Sequence, residues 1–319
     1  MTHVRVFQDK VRHIISAENS LEQVVTEFDF VEGPIWLASE GCLLFSDIPA
    51  NVIYQWDMHH GTRPYRRPSG NSNGLAVDTL RRLIACEHGN RRVTRANLHS
   101  EVVESIATHY QGKRLNSPND VVVKSDGAIY FTDPPYGLAS LDEQELDFQG
   151  VYRLDPNSGQ LTLLVDDFDR PNGLAFSPDE RILYINDSNR QHVRAFDVQA
   201  DGTLDNGRLF TVLDPEVGPG VPDGLKVDTE GTMYVTGPGG VWIVSATGEQ
   251  LGIILVPEVA ANLAFGDEDG RTLYIAASTS IYRIRLTCPE SHPVRRERNR
   301  LFNSALKEQP ARSTLGFRR

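Results

Sequence analysis

Six times along this chain a short polar motif leads into an apolar run, a turn, and a second apolar run. The copies begin at Glu32-Gly33-Pro34, Asn73-Gly74-Leu75, Asn119-Asp120-Val121, Asn172-Gly173-Leu174, Asp223-Gly224-Leu225 and Ala261-Asn262-Leu263. They recur about every 40 to 53 residues, a period at which self-similarity marks a propeller or a related array. Each interval has room for four short strands, and about six such units fit between the terminal segments. The expected fold is therefore all-β: a six-bladed β-propeller with four-stranded blades around a central channel. An ordinary β-sandwich would not explain why all six copies share one turn grammar.

The stretch Leu115 to Gly137 shows the unit most fully. Asn119-Asp120 precede Val121-Val122-Val123, a Ser125-Asp126-Gly127 turn follows, and a second strand ends on Asp133-Pro134-Pro135. This reads as a hairpin with its polar residues gathered at the open end. Between the copies, VIYQWD, RVTRANL, GVYRLDP, HVRAFDV, GVWIVSA and SIYRIRL carry the alternation of half-buried strands. Residues 1–26 form an arm or an outer strand, residues 27–286 the propeller, and residues 287–319 a basic, apolar-poor tail.

A formal net charge of −11 argues against nucleic acid or an anionic membrane as partner and suits a protein that holds a cation. Cys42, Cys86 and Cys288 are odd in number, far apart and without a CxxC pair, so neither a disulfide framework nor a thiolate metal site is indicated. No continuous apolar run approaches the roughly 18 residues of a membrane span, and the charged N-terminus does not read as a targeting signal. The expectation is a cytoplasmic protein, monomer or homodimer, acting on a small molecule.

In a propeller the residue just before each innermost strand points toward the axis. Read across the copies, that position holds Glu32, Asn73, Asn119, Asn172, Asp223 and Ala261. A single Asn-Gly is adequately explained as a turn. The set is not, because Glu32 precedes Gly-Pro and needs no turn role, and two carboxylates crowded with amide oxygens at one channel mouth would be costly when desolvated. One divalent cation would remove that cost. Oxygen donors without His or Cys favour Ca²⁺, then Mg²⁺ or Mn²⁺, with Zn²⁺ or Fe²⁺ able to occupy the same site. The second strands end on Asp47, Glu87-His88, Asp133 and Asp187 at the same face. The three aspartates have a competing role in capping loops; His88 is a candidate polar contact or proton carrier, balanced against an ordinary loop histidine.

With these residues in place, the sequence resembles the gluconolactonase / senescence marker protein (regucalcin) family over roughly residues 25–286. The resemblance rests on Glu32-Gly33-Pro34, Ser117-Pro118-Asn119-Asp120, Pro171-Asn172-Gly173-Leu174 and Pro222-Asp223-Gly224, in that order. It implies a sugar lactonase on a six-bladed propeller, a metal held by Glu32, Asn172 and Asp223, Asn119 as a further ligand or substrate contact, and Asp223 as the proton-transfer group. Asn73, which the ring position includes, is not a usual family ligand and is assigned to substrate, together with His88, Asn119, Asp133 and Tyr136. Asp120 is expected to support Asn119 from behind. Ser117 stands where animal members carry an arginine, so substrate must be oriented differently; LNSPND and TDPPYG look more like the bacterial gluconolactonase branch. Two rivals share the fold: a hydrolase of organophosphates or other esters at the same site, and a propeller that only binds, with the metal as structure.

Overall fold

The computed structural model describes residues 3–15 and 19–291. Six antiparallel sheets are arranged as blades in chain order, each beginning with its innermost strand: Val31–Leu37, Ser72–Val77, Val121–Val123, Pro171–Phe176, Leu225–Val227 and Ala260–Gly266. Blades 1 to 4 are each a continuous four-stranded stretch of chain. Blade 5 takes a fifth strand from Val4–Val6, paired to Gln250–Leu255. Blade 6 supplies three strands of its own and borrows its outermost, Glu22–Val25, which pairs with Ser280–Arg285. The beginning of the chain thus closes the ring against its end, covering the sheet edge that blade 6 would otherwise expose.

The apolar core is divided among the six gaps between blades. Leu37, Leu44 and Ile53 of blade 1 meet Leu75, Leu83 and Leu98 of blade 2. Tyr152 and Phe131 pack toward Ile84 and Val93 between blades 2 and 3, and Trp242 toward Tyr184 between blades 4 and 5. Each such side chain, fully buried, contributes roughly 1.5–3 kcal/mol. The second strands lie between two neighbours and are apolar on both faces: every residue of Cys42–Asp47 and Met233–Gly237 is buried. The same enclosure overrides the alternation expected of the third strands. Gly240–Val244 is buried throughout, because neighbouring blades cover both of its faces.

The basic tail expected from residue 287 is described only as far as Ser291; residues 292–319 lie outside the described residues. Among the described residues no helix is long and apolar enough to cross a membrane.

Candidate active site at the channel mouth

Each innermost strand is irregular where the repeat places its ring residue. The pairing register shifts between Glu32 and Ile35, Ser72 and Leu75, Pro171 and Leu174, and Ala260 and Asn262. Such bulges turn a side chain out of the alternation of a strand. Here they aim Glu32, Asn73 and Asn172 at the axis. In blades 3 and 5, Asn119 and Asp223 instead precede shortened strands that begin at Val121 and Leu225.

The glycine after the ring residue serves the neighbouring blade rather than a turn. Gly74 N donates to Asn119 O (2.8 Å), Gly173 N to Asp223 O (3.1 Å) and Gly224 N to Ala261 O (2.7 Å). A Cβ on Gly173 would lie 2.0 Å from Asp223 O. Gly33 has φ +51°, and a Cβ there would lie 1.9 Å from Asn73 O. The Asn-Gly pairs are therefore points of close approach between backbones. A second device repeats beside them: Ser46 Oγ donates to Asn73 O (2.8 Å), Thr132 Oγ1 to Asn172 O (2.8 Å) and Thr236 Oγ1 to Ala261 O (2.9 Å), while Asn186 Nδ2 donates to Asp223 O. The next-to-last residue of one blade's second strand so fixes the ring residue of the next blade.

Within the mouth the amides form a directed chain. Asn73 Nδ2 donates to Asn119 Oδ1 (2.8 Å), Asn119 Nδ2 to Asn172 Oδ1 (2.6 Å), Asn172 Nδ2 to Ser188 Oγ (3.1 Å), and Ser188 Oγ to Pro222 O (2.6 Å). His88 Nε2 lies 3.1 Å from Asn119 Oδ1. Burial pushes the imidazole down to about 4, so it is neutral at pH 7 and acts on Asn119 as a donor through Nε2–H. Asn119 Oδ1 then has both lone pairs engaged, and the residue stands as the link that orients Asn172.

Three carboxyl groups lie at or just beneath this chain. Glu32 is 2% exposed, and burial pushes it up to about 7 against hydrogen bonds from Gly33 N (2.7 Å) and Asn262 Nδ2 (2.9 Å). Asp223 is raised well above the usual carboxylate range by burial and by the charges of Glu32 and Asp120. It is half-buried, and so remains reachable from outside, whereas Asp120 is 2% exposed. Asp120 Oδ1 accepts from Val121 N (2.8 Å), while Oδ2 is buried without a partner. Lys226, half-buried, is the cation whose field lowers both Glu32 and Asp120.

Tyr136 sits at the rim, 42% exposed, with its hydroxyl near Ser188 and Asn172 and the Arg170 guanidinium 5.3 Å from its ring centroid. Asp133, expected to face substrate, is placed elsewhere. It is fully buried and accepts from Asn116 N (2.8 Å), so it anchors the loop that carries Asn119. Asp47 and Asp187 likewise hold loop amides: Asp29 N and Phe30 N in one case, Asp169 N and Arg170 N in the other. Ser117 Oγ donates to Pro134 O (2.6 Å), accepts from Gly137 N (2.8 Å) and fixes the turn bearing Tyr136.

The sequence reading missed Asn262, Ser188 and Arg170. Asn262 was hidden one place after the apparent gap at Ala261, and its signal was present: it aligns with Asp120, the other residue that follows a ring position with a polar side chain. Ser188 and Arg170 carry no motif and come to the mouth only through the fold of blade 4.

Among the described residues no three His, Cys, Asp or Glu side chains cluster as a metal site. What the mouth offers is two carboxylates, Glu32 and Asp223, with amide oxygens beside them and Asn73 Oδ1 buried without a partner. That all-oxygen set fits a hard divalent cation better than a soft one.

Fold and mouth together define a class: a six-bladed propeller whose channel opens into an acid-and-amide cup. Residues 30–279 match the profile described as the SMP-30/Gluconolactonase/LRE-like region, and the chain belongs to that family. It is 34% identical over 303 residues to the gluconolactonase of Zymomonas mobilis, covering 88% of this chain and 85% of that one. It superposes on a gluconolactonase structure from Xanthomonas campestris with a TM-score of 0.81 at 33% identity, over 89% of this chain and 94% of the other. A calcium-binding protein, regucalcin, from Agrobacterium tumefaciens has the same fold, with a TM-score of 0.71 at 17% identity over 86% of this chain and 97% of the other.

Proposed function

We propose that this protein is a hydrolase of sugar lactones, of the gluconolactonase type, acting at the cup formed by Glu32, Asn172 and Asp223. The observation that carries the reading is the pairing of a buried carboxylate, Glu32, with a reachable one of raised basicity, Asp223, beside a fixed row of amides. Family membership and the gluconolactonase relatives support it.

One divalent cation, Ca²⁺ first, would be held by Glu32, Asn172 and Asp223. When bound it supplies Lewis-acid polarisation of the lactone carbonyl. Asp223 takes a proton from the attacking water as its oxygen bonds to the carbonyl carbon; the ring C–O bond then breaks, and the same proton passes to the departing ring oxygen. The product is the open hydroxy acid. Asn119 serves first by orienting Asn172; taking a place on the metal would require it to release Asn73 or His88. Asn73, His88 and Tyr136 present polar atoms to the sugar hydroxyls, and Arg170 joins them at the rim. All three cysteines are free, which suits a reduced, cytoplasmic setting.

The test is a pH-indicator assay over a panel of aldonolactones, organophosphates and simple esters, with single metals restored after chelation. The expected result is metal-dependent turnover of at least one lactone, lost by 10²-fold or more, on the order of a missing acid–base group, in Asp223→Asn. Turnover of the phosphate or carboxylic esters alone would transfer the site to the rival chemistry. Metal binding without turnover of anything would make the propeller a binding module.

A further inference from the structure

A second cavity, of about 690 Å³, opens at the other end of the channel. It is walled by the far halves of the innermost strands, among them Trp36, Leu75, Val121, Val123, Leu174 and Phe265, and is predominantly apolar. The chain runs over this mouth as it leaves the propeller. Thr229 N donates to Pro289 O (3.0 Å), Glu290 N to Gly270 O (3.3 Å) and Ser291 N to Val227 O (3.1 Å), and Glu290 and Ser291 line the cavity.

We propose that this mouth is the docking site of the chain's own C-terminal segment, with Leu301, Phe302 and Leu306 seated in the cavity. Three observations converge on that occupant. Ser291 delivers the chain at the rim, and the ten residues from there to Leu301 span up to roughly 33 Å when extended, ample to turn back into the opening. In the sequence, Leu301, Phe302, Ala305 and Leu306 are the apolar residues of an otherwise polar stretch, at the spacing of an amphipathic pattern. Charge is complementary: residues 292–319 carry eight Lys or Arg against two Glu, while the six turns around the mouth carry ten acidic side chains against four basic ones. Glu40, Asp126, Asp179 and Glu268 are exposed at that rim. The arginines would bond to the rim as the apolar side chains enter.

The experiment compares the full chain with the full-length variant Leu301→Asp/Phe302→Asp. Two readouts report on the mouth: acrylamide quenching of tryptophan, to which half-buried Trp36 contributes most, since Trp56 is 9% and Trp242 1% exposed, and uptake of anilinonaphthalene sulfonate. In the native chain the mouth should be covered. In the variant, quenching should rise about two-fold and dye uptake several-fold, while metal-dependent lactone turnover at the opposite mouth stays within about two-fold, matched by an unchanged circular dichroism spectrum. Raising NaCl to about 1 M, where the Debye length is about 3 Å, should move the native chain toward the variant. Equal quenching and dye uptake in both proteins would overturn the proposal. Protection that is lost on dilution in step with dissociation of a dimer, followed by sedimentation, would also overturn it, by assigning the mouth to a second copy.

Discussion

Tyr136 follows three residues after Asp133, the last residue of its strand, and the two do different work. The Tyr136 hydroxyl lies near Asn172 and Ser188 while its ring stays partly exposed, so it can meet a substrate beside the ligating amide. Tyr136→Phe removes the hydroxyl, whose bond to substrate would be worth about 1 kcal/mol; KM for the preferred lactone should rise roughly five-fold with kcat nearly unchanged, and an unchanged KM would take Tyr136 out of the substrate contacts. Asp133 is buried, and burial pushes its carboxyl from 3.8 up to about 7 against the hydrogen bonds of the Asn116 and Ser117 amides and the charge of Arg91. The folded state therefore binds this proton more tightly than the unfolded state. Its favourable contribution is full below pH 4 and is lost as pH rises toward 7. Asp133→Asn keeps an acceptor for Asn116 and removes the ionisation. It should be more stable than the native protein at pH 8, by on the order of 1–4 kcal/mol, and no more stable at pH 4; denaturant melts at the two pH values decide it.

At the scale of the strand, the repeat was legible because every blade solves the same problem with the same residues. Ring residue, glycine and apolar run recur since each innermost strand must bulge, approach its neighbour's backbone and then enter a core. The sequence did not disclose the purpose of the glycines: Asn-Gly reads locally as a turn, and only the packed ring shows Gly173 against Asp223 O. Nor did it separate Asp133 from His88: Asp133 ends its second strand, whereas His88 stands one place beyond the strand that ends at Glu87, and only the packed ring shows that this step brings it to Asn119. Gly173→Ala should be severely destabilising, because the clash is with backbone that also carries Asp223; about 3 kcal/mol, the upper end for an overpacked core, is expected in urea unfolding. Thr132→Val deletes the bond to Asn172 O (2.8 Å) and the acceptor of Asp120 N (3.2 Å). It should cost about 1–2 kcal/mol in urea unfolding and weaken calcium binding in titrations, since Asn172 is the ring residue it releases.

Over the whole molecule, six blades bring carboxylates from the first and fifth into one small volume, with Asp120 of the third just below. Without a cation this is a strained arrangement. Glu32 is pushed up to about 7 and Asp223 is raised as well, so the folded state without metal retains protons that the unfolded chain would have released. By linkage, the stability of the metal-free protein should fall as pH rises from about 4.5, the ordinary value for Glu32, through about 7. Binding of Ca²⁺ requires those groups as carboxylates, so it must expel the protons and cancel the loss. Chelation should therefore lower Tm little at pH 5 and markedly at pH 8. Affinity should strengthen with pH across the neutral range, by up to about ten-fold per unit for each proton released. Calorimetric titrations at pH 7 in two buffers of different ionisation enthalpy would count those protons directly. Between about one half and one and a half are expected from Glu32 and Asp223 together, and fewer in Glu32→Gln, where only Asp223 remains to be titrated. Calcium binding with no proton release, and with equal affinity at pH 6 and pH 8, would place the ion away from these two carboxylates.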